Sequence, residues 1–223
     1  MPVYNEQETV ATIINRVLVQ KIVSELVVVD DASTDKTGSI LNRLEKTQKK
    51  RLRIFRHVKN QGKGAAIITG LGKISGTHVI IQDADLEYDP ADYPAMLEPV
   101  TGGKSQVVFG SRFLGPHRNM LFWHKLANDL LNLLINFLFD TTISDCETCY
   151  KLLPVDLFRS LKMNSRRFDI EIEVTCKLLK RGVRIYEVPV SYAGREYTEG
   201  KKITFKDGIV AFLKVLRYRF LWE

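Results

Sequence analysis

The sequence predicts an α/β fold: a mostly parallel β-sheet with helices packed on both faces. Three features predict it. Short apolar runs of strand length alternate with longer stretches of helical periodicity. Two of those runs, "VVVDD" and "IIQDAD", end in carboxylates, and open α/β sheets bind ligands at the carboxyl ends of their strands. A glycine turn, "NQGKGAA", opens one of the helices.

The elements follow in order. In "NEQETVATIINRVLV", Val10, Ile13, Ile14, Val17 and Leu18 fall at helical spacing. "ELVVVDD" is short and apolar throughout, as a strand buried on both faces must be. "KTGSILNRLEKTQ" returns to helix, with Ile40, Leu41 and Leu44 on one face. "LRIFRH" is the next strand, and "GKGAAIITGLGKI" is a helix entered through glycine. A strand then runs into "IIQDADLEYDP", a short helix lies near 92–98, and "SQVVFGSR" is again a strand.

Beyond residue 112 the pattern changes. Residues 120–139 are helical, with Asn128, Asn132 and Asn136 one turn apart on an otherwise Leu, Ile and Phe surface. The segment is too short and too polar to span a bilayer; a core helix and a helix lying in a membrane surface both fit it. "VRIYEVPVSY" alternates as a strand. "KDGIVAFLKVLRYRFLWE" is an amphipathic helix with Lys214, Arg217 and Arg219 beside aromatic residues. No repeat or linker divides the 223 residues, so one domain is expected.

Hydrophobic residues make up 45% and charged residues 26%, a globular balance. No uncharged apolar run reaches 18 residues, and no basic, apolar leader stands at the start, so neither a membrane span nor a signal peptide is expected. Cys146, Cys149 and Cys176 are an odd set; the lone CxxC lacks partners at zinc spacing, and reduced cytoplasmic thiols are the expectation. The net charge of +7 concentrates in residues 43–63 and from Arg195 onward. Phosphate-bearing partners or an anionic membrane surface suit such runs, whereas no nucleic-acid motif accompanies them.

The carboxylates carry the chemistry. In an extended chain alternate residues point the same way, so Asp83, Asp85 and Glu87 would converge and repel unless a cation sat between them. Magnesium or manganese is held this way, by one or two carboxylates together with substrate phosphates. Asp31, at the neighbouring strand end, suits a base or ribose hydrogen bond, and Lys63 suits a phosphate. Asp30 reads as a cap for the following turn.

"PVYNE", "VVVDDAS", "GKGAA", "QDADLEYDP" and "GSRF", in that order, closely resemble family 2 glycosyltransferases of the GT-A type, nearest the dolichyl-phosphate mannose or glucose synthase branch. "FWHKLANDLLNLL", "SDCETCYKLL", "RRFDIEIEV", "EVPVSY" and "REYTEGKKITFKDG" extend the likeness over the whole chain. The resemblance implies a nucleotide-sugar half at 1–112 and an acceptor half at 113–223. It implies metal-dependent, inverting transfer of a hexose from GDP-mannose or UDP-glucose to a polyprenyl or dolichyl monophosphate, at the cytoplasmic face of a membrane. A non-lipid saccharide acceptor and a catalytically impaired nucleotide-binding module are the alternatives.

By the same resemblance, Pro2, Tyr4, Glu6, Asp31, Lys63, Asp83 and Ala84 match donor-binding positions, and Asp83, Asp85 and Glu87 match the Mg2+ or Mn2+ motif. Arg112, Arg195, Lys201 and Lys202 match the acceptor-phosphate site, and Asp85, Arg112 and Arg195 are the implied catalytic residues. An anionic phosphate acceptor needs no strong base; for an alcohol acceptor, Glu171 and Glu173 are the candidates. The chain departs from the pattern twice. Many relatives carry Gln at the position of Glu87, and relatives have an apolar strand in the middle of the sheet just ahead of Pro2.

Overall fold

The computed structural model describes residues 1–48, 50–118, 121–194 and 205–221. β1 (Pro2–Val3), β2 (Leu26–Asp30) and β3 (Leu52–Arg56) form a parallel sheet in the order β1-β2-β3. The crossovers are α1 (Val10–Val19) and α2 (Thr37–Thr47). α1 buries Val10, Ile13, Ile14 and Val17, the positions its periodicity marks. α3 (Lys63–Leu71) leads from β3 to β4 (His78–Ile80), and α4 (Tyr93–Thr101) leads to β5 (Val108–Ser111).

The second sheet is mixed, in the order β4-β6-β5-β7. β5 and β7 (Tyr186–Pro189) are parallel, but β6 (Lys151–Pro154) runs antiparallel to both β4 and β5. The mostly parallel arrangement expected is found, with β6 as the reversed strand among those described. "KLLP" is a four-residue run with no periodicity of its own, and only its neighbours β4 and β5 make it a strand. α6 (Val155–Ser160) and α7 (Ile170–Lys180) follow it, and α8 (Phe205–Phe220) ends the described chain.

The strand that relatives carry ahead of Pro2 was expected to be missing here; the first strand the chain forms is the two-residue β1, whose partner among the described residues is β2. Among the described residues the two sheets share no strand pairing, and a cavity of about 190 Å³ lies between them.

One apolar core fills the space around both sheets, from Val10 and Ile14 of α1 through Met96 to Phe158 and Val174. A second joins α5 (Phe122–Phe139), α7 and α8 through Leu131, Ile135, Cys176 and Val215. The asparagine stripe of α5 faces inward, where Asn132 donates to Ser144 O (2.6 Å) and accepts from Cys146 N (2.9 Å), and Asn136 donates to Ile143 O (2.9 Å). Other large apolar side chains of α5 face out: Trp123 is 73% exposed and Phe137 84%. Among the described residues, no helix is long and apolar enough to cross a membrane.

Candidate active site

The loops after β1, β2 and β4 share one feature: each holds a non-glycine residue in the left-handed region, Asn5 (φ 52°), Ala32 (φ 61°) and Leu86 (φ 67°). Such conformations cost of order 1–3 kcal/mol each and concentrate at ligand sites. The sequence-predicted acids sit in or beside these loops.

Asp31 is buried, and its carboxylate is filled by protein donors. Oδ1 accepts from Gln61 N (2.9 Å) and meets His57 Nδ1 at 2.6 Å; Oδ2 accepts from Gly62 N (2.7 Å). His57 Nε2 in turn meets Thr69 Oγ1 at 2.9 Å. Asp31 therefore shapes the glycine turn, through two backbone amides and the His57 ring. His57 is a residue that sequence reasoning missed; a histidine closing a basic strand carries no signal of its own. Asp30 caps its turn as expected, accepting from Ser33 N (3.0 Å).

Gly62 needs its hydrogen side chain: its φ is 96°, and a Cβ would lie 2.3 Å from Arg166 O. The turn aims Lys63 at two carboxylates, Asp83 Oδ1 (2.8 Å) and Glu171 Oε1 (2.7 Å). Burial opposes the ammonium charge, but Asp83 and Glu171 outweigh it and hold the Lys63 pKa well above its ordinary value. Glu171 thus joins the site, at the start of α7. Glu173 does not. Lys177 and the amides of Asn164 and Ser165 enclose its carboxylate, leaving no open edge for a substrate hydroxyl.

Asp83, Asp85 and Glu87 were expected to converge on a metal. They do not: among the described residues, no group of three or more His, Cys, Asp or Glu side chains is placed to hold an ion. The chain leaves the strand at Ile80 and Leu86 turns left-handed, so the alternation of an extended chain no longer applies. Asp83 faces Lys63, Asp85 Oδ1 accepts from Glu87 N (3.1 Å), and Glu87 Oε2 accepts from Tyr192 Oη (2.7 Å). What remains is a hard-oxygen pair, Asp85 and Glu87, in a half-buried loop. That donor set fits Mg2+ or Mn2+ completed by phosphate oxygens.

Arg112, expected at an acceptor phosphate, grips Asp145. Nε donates to Oδ2 and Nη2 to Oδ1, both at 2.7 Å, and Arg112 N adds a third bond at 3.0 Å. Burial opposes its charge, yet Asp145 raises the pKa further above the ordinary arginine value. The guanidinium also lies 5.2 Å from the centre of the Tyr192 ring, so Tyr192 joins Arg112 to Glu87. Asn132 holds both neighbours of Asp145, which ties α5 to the site. Asp145 and Tyr192 were not predicted; nothing marks either one until the fold brings it to Arg112.

The remaining donor positions lie on the same edge. Pro2 is in the β1–β2 ladder, opposite Val29. Glu6 N donates to Thr37 Oγ1 (2.9 Å), and Thr9 Oγ1 lies 2.9 Å from Glu6 Oε2 and 2.7 Å from Ala84 O, tying the first loop to the third. Tyr4 is half-buried in the first loop. Arg195, Lys201 and Lys202 lie outside the described residues.

The sequence pattern of Glycosyl transferase family 2 matches residues 1–162. The chain belongs to that family. It is 26% identical over 204 residues to the polyprenol monophosphomannose synthase of Mycolicibacterium smegmatis, covering 88% of this chain and 77% of that protein. It is 28% identical over 207 residues to the dolichol-phosphate mannosyltransferase of Pyrococcus furiosus, covering 90% of this chain and 57% of that one. Among solved structures, it resembles the glucosyl-3-phosphoglycerate synthase of Mycobacterium tuberculosis in complex with Mn2+, UDP-glucose and phosphoglyceric acid. The TM-score is 0.74 at 19% identity, over 100% of this chain and 79% of that one. That likeness shows a GT-A fold for this member of glycosyl transferase family 2.

Proposed function

We propose that this family 2 glycosyltransferase moves a hexose from GDP-mannose or UDP-glucose to a polyprenyl monophosphate at the cytoplasmic face of a membrane, with inversion at the anomeric carbon. The observation that carries the lipid acceptor is the exposed apolar face of α5. With α8, it exposes Trp123, Leu133, Phe137, Phe212, Leu213 and Phe220 on helices whose inner faces pack together. Apolar surface flanked by Arg217 and Arg219 suits an interface with anionic lipid, where a polyprenyl chain resides. The relatives named for polyprenol and dolichol phosphate support the same acceptor class.

In this reading the chain divides its work between an N-terminal donor half, 1–112, and a C-terminal acceptor half, 113–223. Lys63, at the N-terminus of α3, receives the donor phosphates on exchange for Asp83 or Glu171. Asp85, with Glu87 beside it, holds Mg2+ or Mn2+, which supplies charge neutralisation for the departing diphosphate. Arg112 turns its remaining N–H donors toward the acceptor phosphate, held in place by Asp145 and Tyr192. A phosphate oxygen is anionic before it attacks, so positioning carries the rate and no base is required.

The test is transfer from labelled UDP-glucose or GDP-mannose, with Mn2+, to liposomes containing undecaprenyl phosphate, followed by solvent extraction. Label should enter the organic phase from one donor only, and Asp85→Asn should abolish it. Transfer to a soluble acceptor alone, as the name glucosyl-3-phosphoglycerate synthase describes for the structural neighbour, would establish the non-lipid reading instead. Absence of transfer to either would leave a nucleotide-binding module.

A further inference from the structure

Ser165 is a joint between three elements. It is buried, and its polar atoms are fixed from different sides. Its N–H donates to Glu173 Oε2 of α7 (2.7 Å), and its hydroxyl lies 3.3 Å from Tyr218 Oη of α8. Its carbonyl faces the glycine turn, 2.3 Å from where a Cβ on Gly64 would stand. Arg166 makes the same approach to Gly62, and Arg166 O accepts from Ala65 N (3.2 Å). The turn that aims Lys63 therefore rests on two consecutive peptide groups of the 164–169 loop.

That loop has two supports. Its first half hangs on Glu173, which accepts from Asn164 N and Ser165 N. Its second half ends at Asp169, the residue that enters α7, and here α8 supplies the partner. Lys214 Nζ pairs with Asp169 Oδ2 at 3.1 Å. Burial opposes the Asp169 charge, but Ser165 and Lys214 outweigh it and hold its pKa below the ordinary carboxylate value. Tyr218 stands one turn beyond Lys214, its ring 5.8 Å from Lys214 Nζ and 5.7 Å from Lys177 Nζ. Within the loop, the Phe168 ring lies 6.0 Å from Lys63 Nζ. A path of direct contacts thus runs from α8 to the ammonium of Lys63.

We propose that Lys214 and Tyr218 are positioning residues for the donor site. From α8 they hold the loop that sets the height of the glycine turn, and the turn sets where Lys63 meets the donor phosphates. The inference rests on the reading of Lys63 as the group that receives those phosphates. The arrangement accounts for a charge on the inner face of α8, which otherwise consists of Ala211, Val215 and Tyr218. An apolar residue at 214 would pack with these three, but it would leave Asp169 without its cation. Both residues act through the loop, so their effect falls on the binding of the donor.

The experiment compares the full chain with Lys214→Met, Lys214→Arg, Tyr218→Phe and the double variant Lys214→Met, Tyr218→Phe. Hydrogen exchange at the Ala65 amide reads the turn without any nucleotide, and calorimetry reads the Kd of UDP and of GDP with Mn2+. Lys214→Met and Tyr218→Phe should each speed Ala65 exchange, and raise the Kd of the nucleotide that binds, by roughly threefold. The double variant should do so by roughly tenfold. Exchange in β2 should not change, and Lys214→Arg should keep both readouts within about twofold of the unaltered chain. Unchanged Ala65 exchange in the double variant would overturn the proposal, and so would faster exchange with an unchanged Kd. Faster exchange throughout β2 would mean a general loss of folding, which overturns a local role. Failure of the underlying reading looks different: the unaltered chain would bind neither nucleotide while Ala65 exchange still answered to Lys214→Met, which takes the donor role from turn and helix together.

Discussion

Two buried ion pairs in this molecule look alike and do different work. Glu173 and Lys177 sit one turn apart on α7, 2.6 Å from each other, with neither side chain exposed. Both bond to the backbone of one loop, where Lys177 donates to Leu161 O and Lys162 O and Glu173 accepts from Asn164 N and Ser165 N, and both meet Tyr218 of α8. The next carbonyls of that loop, Ser165 O and Arg166 O, press on Gly64 and Gly62 of the phosphate-type turn. Arg112 and Asp145 differ in one respect. Asp145 is fully buried, but the Arg112 side chain is 14% exposed and one of its faces meets Tyr192. A pair with neither side chain exposed is scaffold, and the pair with an exposed edge is the one we propose meets a ligand.

The sharpest way to break this comparison is Lys177→Met. It leaves Glu173 buried without its cation, and breaking such a pair costs about 3–5 kcal/mol. Urea unfolding should report that loss, with turnover per folded molecule nearly unchanged. Arg112→Lys should do the reverse. It keeps the charge but loses the two-pronged grip on Asp145, costing about 1–2 kcal/mol of stability while turnover falls at least tenfold. If both variants lost stability alike and neither lost specific turnover, the distinction would fail. Gly62→Ala lies between them. The left-handed φ and the 2.3 Å approach to Arg166 O should cost above about 1 kcal/mol, and the nucleotide-sugar KM should rise because Lys63 moves with the turn.

These contrasts also show which parts of the molecule could be read from its sequence. α1 and β2 announce themselves, because one period of 3.6 and one apolar run match one burial pattern each. β6 does not, since four residues have no period and its antiparallel sense depends on the strands beside it. The acids after β2 and β4 were visible as a site, but their roles were not. Asp31 was read as a ligand group, and its bonds to the turn could not be read, because its partners Gln61, Gly62 and His57 come from about thirty residues away. The asparagine stripe of α5 was seen, while the direction it faces was not: an Asn row is inward only when a loop supplies carbonyls and amides for it, here 143–146.

The smallest change has the most to say about the open pair. Tyr192→Phe removes one hydroxyl that donates to Glu87 and leaves the ring over Arg112 in place. A hydrogen bond to a charged group contributes about 1.5–3 kcal/mol, but Glu87 is half-buried and water can replace the donor. The expected stability loss is therefore at most about 1 kcal/mol. The larger effect should fall on the metal. With Tyr192 present, an ion at Asp85 must take Glu87 away from a hydrogen bond. Without it, Glu87 is released toward Asp85, and the Mn2+ concentration for half-maximal stabilisation by a nucleoside diphosphate should fall. Thermal unfolding in a Mn2+ series, with and without UDP or GDP, measures this directly. An unchanged Mn2+ dependence would mean that Glu87 belongs to Tyr192 in the loaded state as well. The ion would then be held by Asp85 and phosphate alone, and the third carboxylate of the motif would serve the fold.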